Sequence, residues 1–176
     1  MTDDELMLAF RDGRSDAFEE LFARYRQPVW AFFRRRVDDP ERARELAQDT
    51  FTAIVEAAPR YQPRAAFRSY LFGIAFNVLA AARRKASLRV VERGADPAEP
   101  AAPASDPSDV IWVRQALAAL DADDREILML REYEALAYDD LAALLGLPLN
   151  TVRSRLFRAR LALRDALIGH ETGARR

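Results

Sequence analysis

The chain has 176 residues, half of them hydrophobic, with 27 basic and 28 acidic side chains and a formal net charge of −1. That length holds one large domain or two small ones, and the apolar content suffices for a sizeable core. There is no cysteine, which excludes disulfides, thiolate zinc sites and cysteine nucleophiles. No apolar run approaches the roughly 20 residues of a membrane helix, so no membrane insertion is expected. The acidic start Thr2-Asp3-Asp4-Glu5 is the opposite of a basic secretory leader, and the chain reads as cytoplasmic. The single histidine, His170, sits in a polar tail and reads as a solvated residue, not as a ligand or base. No cofactor and no metal site is expected.

In chain order, the first strong periodicity is Phe18, Leu21, Phe22, Tyr25, Val29, Phe32 and Phe33, the three-and-four spacing of one buried helical face. Ser15 is placed to cap it, with Asp16, Glu19 and Glu20 favouring the helix dipole. A second helix opens at Asp39-Pro40-Glu41, a cap followed by proline in the first turn, and its apolar face is Ala47, Thr50, Phe51, Ile54 and Val55. It stops near Pro59, before the loop Arg60-Tyr61-Gln62-Pro63-Arg64. A third helix is predicted from about Phe67 to Arg84, burying Leu71, Ile74 and Val78. Along it Phe67, Tyr70, Phe72 and Phe76 accompany Arg64, Arg68, Asn77, Arg83 and Arg84. Aromatics that stack on unpaired bases beside cations that track phosphates are how single strands are held; Phe67 and Tyr70 can equally be core, whereas Phe72 and Phe76 lie off the main apolar stripe and point more to base contact.

Between Ala86 and Asp109 four prolines and little apolar content after Val91 argue against a continuous helix and for an extended tether. Two helical domains are expected, 1–85 and 110–170, joined by a linker over 86–109 and followed by a polar tail over 171–176. Charge follows the same division. Residues 1–85 carry 15 basic and 13 acidic groups, 86–111 carry 2 and 5, and 112–176 carry 10 of each. The basic character is local, which points to weak DNA binding by the chain alone, since phosphate contacts supply most such affinity.

In the second domain Asp121 can cap a helix carrying Ile127, Leu128 and Leu130, and Tyr138 to Leu145 forms the next. Ala142, Gly146 and Val152 then have helix-turn-helix spacing: a small residue for close packing, a glycine for the turn, and an anchor for the second helix. That helix opens at Asn150 or Thr151, turns Leu156, Leu163 and Leu167 inward, and carries five arginines between Val152 and Arg164 with no acidic residue. No strand-like alternation appears anywhere, and the expected class is all-α.

Three stretches in the first domain resemble bacterial sigma factors of the extracytoplasmic-function group. They are Asp16-Ala17-Phe18-Glu19-Glu20-Leu21-Phe22, Glu45-Leu46-Ala47-Gln48-Asp49-Thr50-Phe51, and Phe67-Arg68-Ser69-Tyr70-Leu71-Phe72-Gly73-Ile74-Ala75. Thr151-Val152-Arg153-Ser154-Arg155-Leu156-Phe157-Arg158-Ala159-Arg160 is similar to the second DNA-binding motif of that group. The resemblance implies a sigma-2-like bundle and a sigma-4-like helix-turn-helix domain that bind core RNA polymerase, at its β′ clamp helices and β flap, and promoter DNA. It implies docking through Glu45, Leu46, Gln48, Asp49 and Phe51, with Phe51 or Leu46 as anchor. It implies capture of the melted −10 strand by Arg64, Arg68, Tyr70, Asn77, Arg83 and Arg84. It also implies reading of the −35 duplex by Arg131, Arg153, Ser154, Phe157, Arg158 and Arg160. Two departures stand out: Phe76, where many relatives have arginine, and Asn150, where most have glycine. An anti-sigma partner is common among such proteins.

A stand-alone helix-turn-helix repressor would account for residues 112–170 but leaves the first domain without a ligand-pocket signature. An enzyme lacks its parts: no usable histidine, no Gly-rich phosphate loop, and no carboxylate pair with a partner base. Asp38-Asp39, Asp123-Asp124 and Asp139-Asp140 read as helix starts. A structural adaptor is distinguished from the sigma reading by core-polymerase binding.

Overall fold

The computed structural model describes the backbone of residues 1–92 and 111–173 and the side chains of residues 1–89 and 112–168. Residues 93–109 of the expected linker, residue 110, the His170 side chain and the end of the expected tail lie outside the described residues. Every regular element among the described residues is helical, and the chain divides into two compact units, Met1–Ala104 and Ser105–Arg176.

The first unit holds α1 (Asp3–Arg11), α2 (Ser15–Arg34), α3 (Pro40–Ala57), a 3-10 turn (Ala58–Arg60) and α4 (Phe67–Glu92). Helix α1 was not anticipated, although Thr2-x-x-Glu5 is the signature of its start. The Thr2 hydroxyl accepts from the Glu5 amide at 3.2 Å, and the Glu5 carboxylate accepts from the Thr2 amide at 2.7 Å. Hydrogen bonding to its carboxylate from the Thr2 amide, and then from the Thr2 side chain, holds the Glu5 carboxyl below its ordinary pKa. Leu6 and Met7 are fully buried and dock α1 on α2.

Helix α2 begins one residue earlier than a Ser15 cap requires: Ser15 is its first residue, Arg14 holds the cap position, and no side chain caps it. Its buried face is Ala17, Leu21, Tyr25, Val29, Phe32 and Phe33, while Phe22 is 42% exposed. Two arginines that the periodicity gave no reason to notice close its C-terminus, where free carbonyls and the dipole favour cations. Arg34 donates to the carbonyls of Val37 and Asp38 at 2.9 and 3.0 Å. Arg36 is buried, donates to the Phe32 carbonyl at 2.9 Å and lies 3.8 Å from the Phe32 ring centroid.

Helix α3 starts as expected, with the Asp39 carboxylate accepting from the Glu41 amide at 2.9 Å and Pro40 in the first turn. Ala47, Thr50, Phe51 and Ile54 are buried; Val55 is 43% exposed. Buried Thr50 donates its hydroxyl to the Leu46 carbonyl at 2.8 Å, which satisfies it inside its own helix. Helix α4 differs from expectation twice. Its buried positions are Phe67, Leu71, Phe72, Ala75 and Leu79, and Ile74 and Val78 are only half-buried. Phe72 is core, 5.7 Å from Phe32, so its place off the expected stripe reflected a misjudged stripe. The helix also continues through residues 86–92, because the first proline capable of stopping it is Pro97.

The second unit holds α5 (Ile111–Ala118), α6 (Ala122–Glu132), α7 (Tyr138–Leu145) and α8 (Leu149–Gly173). Helices α5, α6 and α7 all pack on α8. The core includes Leu117, Leu120, Ile127, Leu128, Leu130, Leu136, Leu141, Val152, Leu156 and Ala159. Leu163 and Leu167, expected inside, are half-buried. Asp121 holds the cap position of α6 without a side-chain bond. Arg125 instead ties the α5–α6 corner, donating to the carbonyls of Leu117, Ala118 and Leu120 at 2.8 to 2.9 Å.

Candidate nucleic-acid and docking surfaces

The turn between α7 and α8 has the geometry its sequence demands. Gly146 caps α7 in the left-handed conformation (φ 63°, ψ 34°), and its amide bonds the Ala142 carbonyl. Leu147 donates to the same carbonyl at 3.0 Å. Helix α8 opens at Leu149, so Asn150 lies within its first turn and needs no left-handed backbone. Val152, Leu156 and Ala159 are fully buried and face α8 toward the core.

Opposite that face, Arg153, Ser154, Phe157 and Arg158 are all exposed, Phe157 by 64%. Ser154 donates to the Thr151 carbonyl at 3.0 Å, which leaves its oxygen free to accept. Arg153 reaches Asn150 Oδ1 at 3.3 Å, and Arg158 has no ion pair or hydrogen bond among the described residues. The other two expected −35 residues are engaged inside the unit. Arg131 donates to the Leu136 carbonyl at 2.7 Å and lies 5.1 Å from the Tyr138 ring centroid. Arg160 pairs with Glu132 at 2.7 Å and donates to the Tyr138 hydroxyl at 3.2 Å; those bonds raise its pKa. Arg155, on a flank, pairs with Asp123 at 3.4 Å.

In the first unit, residues 62–66 form an exposed loop leading into α4. Arg64 is exposed and donates to Gln62 Oε1 at 3.0 Å. Along α4, Tyr70, Asn77 and Arg84 recur every seven residues and so lie on one face, opposite Leu71, Ala75 and Leu79. They span about 21 Å of helix. Tyr70 packs its ring edge-on to Tyr61, 5.0 Å between centroids, and burial raises its phenol pKa. Arg68 falls on the other side of the helix: it is half-buried, 5.9 Å from the Tyr25 ring centroid and 5.1 Å from that of Phe72. Arg83 and Arg84 are exposed near the far end.

What holds this loop came from the helix the periodicity missed. Tyr61, buried, donates its hydroxyl to Asp4 Oδ1 at 3.0 Å, and the Phe67 amide donates to the same oxygen at 2.8 Å. Beside it, Asp3 accepts from the Tyr25 hydroxyl at 2.5 Å and from Arg24 at 2.6 Å. Arg11 donates to the Tyr61 carbonyl at 3.4 Å.

Between α2 and α3 lies a groove of about 1100 Å³ whose walls include Phe18, Phe22, Trp30, Gln48, Phe51 and Val55. Of the five expected docking residues, Gln48 and Phe51 line it. Glu45 and Asp49 are exposed on α3, Glu45 paired with Arg42 at 2.8 Å. Leu46 cannot be an anchor, because it is 1% exposed and faces the core. Phe51, 8% exposed, is the floor, with Phe22 edge-on above it at 4.8 Å. Phe22 and Val55 are the groove's most exposed large apolar side chains, with Phe18 and Trp30 half-buried beside them. A smaller groove of about 550 Å³ in the second unit is lined by Trp112, Leu128, Glu132, Arg160, Leu163, Arg164, Leu167 and Ile168. No helix of the described residues is long and apolar enough to cross a membrane.

Residues 21–89 match the family described as Sigma-70 region 2, and residues 111–163 match Sigma-70, region 4. The chain is 35% identical to the ECF RNA polymerase sigma factor SigC of Mycobacterium tuberculosis over 170 residues, covering 92% of this chain and 91% of that protein. It is also 35% identical to the RNA polymerase sigma factor CarQ of Myxococcus xanthus, covering 92% and 95%. Among solved structures it is similar to the sigma factor RpoE of Bartonella quintana in complex with the anti-sigma factor NepR. That match has a TM-score of 0.70 and 25% identity, and covers 85% of this chain and 96% of that one.

Proposed function

Because this chain belongs to the extracytoplasmic-function group of sigma-70 factors and directs transcription initiation by RNA polymerase, we propose that its two units divide promoter reading between duplex and melted DNA. The second unit reads the −35 element. Its carrying observation is that Arg153, Ser154, Phe157 and Arg158 stand exposed on one face of α8 while Val152, Leu156 and Ala159 bury the other. A helix so anchored can enter a major groove with its N-terminal turns, and arginine to guanine O6 and N7 is the favoured bidentate contact there. Arg131 and Arg160 serve this reading by bracing Glu132, Leu136 and Tyr138 behind the helix, and reach phosphate only by exchanging those partners.

The first unit captures the melted −10 strand. Loop 62–66 with Arg64, followed by the stripe Tyr70, Asn77 and Arg84, offers a ring, an amide and cations along one side of α4. A flipped base can stack on the first, be read at its edge by the second, and have its backbone held by the others. Arg68 supports the helix from its inner side, and Arg83 flanks the stripe.

The α2–α3 groove receives the β′ clamp helices, with Phe22 and Val55 as apolar contacts and Glu45, Gln48 and Asp49 as the polar rim. The groove beside Trp112 receives the β flap. Residues 1–85 and 110–170 act as separate modules whose tether, 86–109, raises the effective concentration of the second reader once the first is bound. The chain supplies no chemistry of its own and works in the cytoplasm with polymerase. An anti-sigma factor that covers the same apolar grooves is the regulatory partner this arrangement favours.

The test is run-off transcription of fragmented genomic DNA by core polymerase with and without the chain, followed by sequencing of transcript starts. New starts that share two spaced upstream motifs are expected. No new starts, together with no co-migration with core, would overturn the proposal.

A further inference from the structure

We infer that Asp4, on α1, is a positioning residue for the strand-capturing loop, an inference that rests on reading residues 61–77 as the −10 element reader. The exposed loop 62–66 is bounded by two buried residues, Tyr61 and Phe67, and both donate to one and the same oxygen, Asp4 Oδ1, at 3.0 and 2.8 Å. A single atom therefore sets the spacing of the loop's two ends.

The chemistry explains why a carboxylate is needed. Phe67 is the first residue of α4, so its amide is one of the four that the helix leaves without a partner. The preceding residues, Ala65 and Ala66, have no side-chain acceptor to cap it. Asp4 supplies from another helix the cap that the loop cannot, and its negative charge suits the positive end of the dipole. The consequence runs outward. Tyr61, fixed by Asp4, packs edge-on against Tyr70 at 5.0 Å, and half-buried Tyr70 begins the stripe whose other members, Asn77 and Arg84, are exposed. The neighbouring bonds of Asp3 to Tyr25 and Arg24, and of Arg11 to the Tyr61 carbonyl, keep α1 seated so that Asp4 stays in place.

The experiment uses holoenzyme formed from the full chain and core polymerase, at a promoter mapped by run-off sequencing. Three quantities are measured: affinity for a single-stranded non-template oligonucleotide spanning the −10 element, affinity for a −35 duplex, and the unfolding temperature of the chain. Asp4→Ala is expected to weaken the single strand about tenfold, the effect of losing a charge-assisted bond, and to leave the −35 duplex unchanged. Asp4→Asn, whose amide oxygen still accepts, is expected to restore most of the affinity. Tyr61→Phe removes one of the two donors without touching the Phe67 amide, and an intermediate loss is expected.

Wild-type strand affinity in both Asp4→Ala and Tyr61→Phe overturns the inference. So does an equal loss of strand, duplex and unfolding temperature in all three variants, which marks a merely structural tie. Asn77→Ala separates this from the underlying reading. If it leaves strand affinity intact, the −10 assignment itself fails; if it weakens the strand while Asp4→Ala does not, only the role of Asp4 fails.

Discussion

The two candidate reading elements solve the same problem by opposite means. In the second unit the candidate reader is a helix whose backbone satisfies itself, held by buried Val152, Leu156 and Ala159, with Phe157 and Arg158 exposed on the opposite face. In the first unit the reader includes a loop, and loop backbone has no ladder of its own. It is held by polar tethers from α1, Asp4 above all, and by the buried rings of Tyr61 and Phe67. The helix should therefore fail when apolar volume is removed, and the loop when a hydrogen bond is removed.

The largest expected effect is on the helix. Leu156→Ala deletes a fully buried side chain and should cost about 2–5 kcal/mol, enough to unfold the second unit while the first persists. Two separate transitions in urea, one shifted and one not, would bear this out; a shift of both would break the comparison. Next, Arg158→Ala should weaken binding to a matched −35 duplex by about 1–3 kcal/mol with no change in unfolding midpoint, since the side chain has no ion pair or hydrogen bond among the described residues. Arg160→Ala, which severs Glu132 and Tyr138, should instead lower the midpoint slightly and leave base preference alone. Equal loss of base preference in both variants would mean that Arg160 leaves its partners to touch DNA. Gly146→Ala meets nothing within 4 Å of its added carbon, so its cost should be the left-handed backbone alone, about 1 kcal/mol. An urea titration resolves that.

The same contrast decides what the sequence revealed. The helix-turn-helix was legible because its determinants are local: Ala142, Gly146 and Val152 at fixed spacing, and an apolar stripe every three or four residues. Sharing of one stripe between core and surface was not legible. Phe22 and Val55 follow the helical period of α2 and α3 yet face an open groove, while Leu46 follows a docking motif yet lies in the core. Only the packing of α2 on α3 decides which apolar side chain is left over. Helix α1 had a readable start in Thr2-x-x-Glu5, but its acids read as mere charge until the fold brought Asp4 against Tyr61 and Phe67, more than fifty residues away. Helix α4 shows the reverse: its aromatics suggested base stacking, and the fold assigns Phe67 and Phe72 to the core and leaves Tyr70 at the edge.

The smallest expected effect concerns the tethers of the first unit and appears only in alkali. The Tyr25 phenol is pushed up to about 12, first by burial and then by its hydrogen bond to the Asp3 carboxylate; Tyr61 is raised by the same two causes, with Asp4 as its partner. In the unfolded chain both phenols ionise near 10. Above that pH the unfolded state gives up protons that the folded state retains, so stability is complete below pH 10 and falls as pH rises from 10 toward 12. Urea midpoints of the first unit should therefore decline over that interval, in step with the late appearance of tyrosinate absorbance. Tyr25→Phe has no phenol to ionise, so it should start from a lower midpoint at pH 8 and lose less between 10 and 12. A variant that loses as much as the parent would mean that Tyr25 contributes nothing to the alkaline fall, which would then be left to Tyr61 with its bond to Asp4 and to Tyr70.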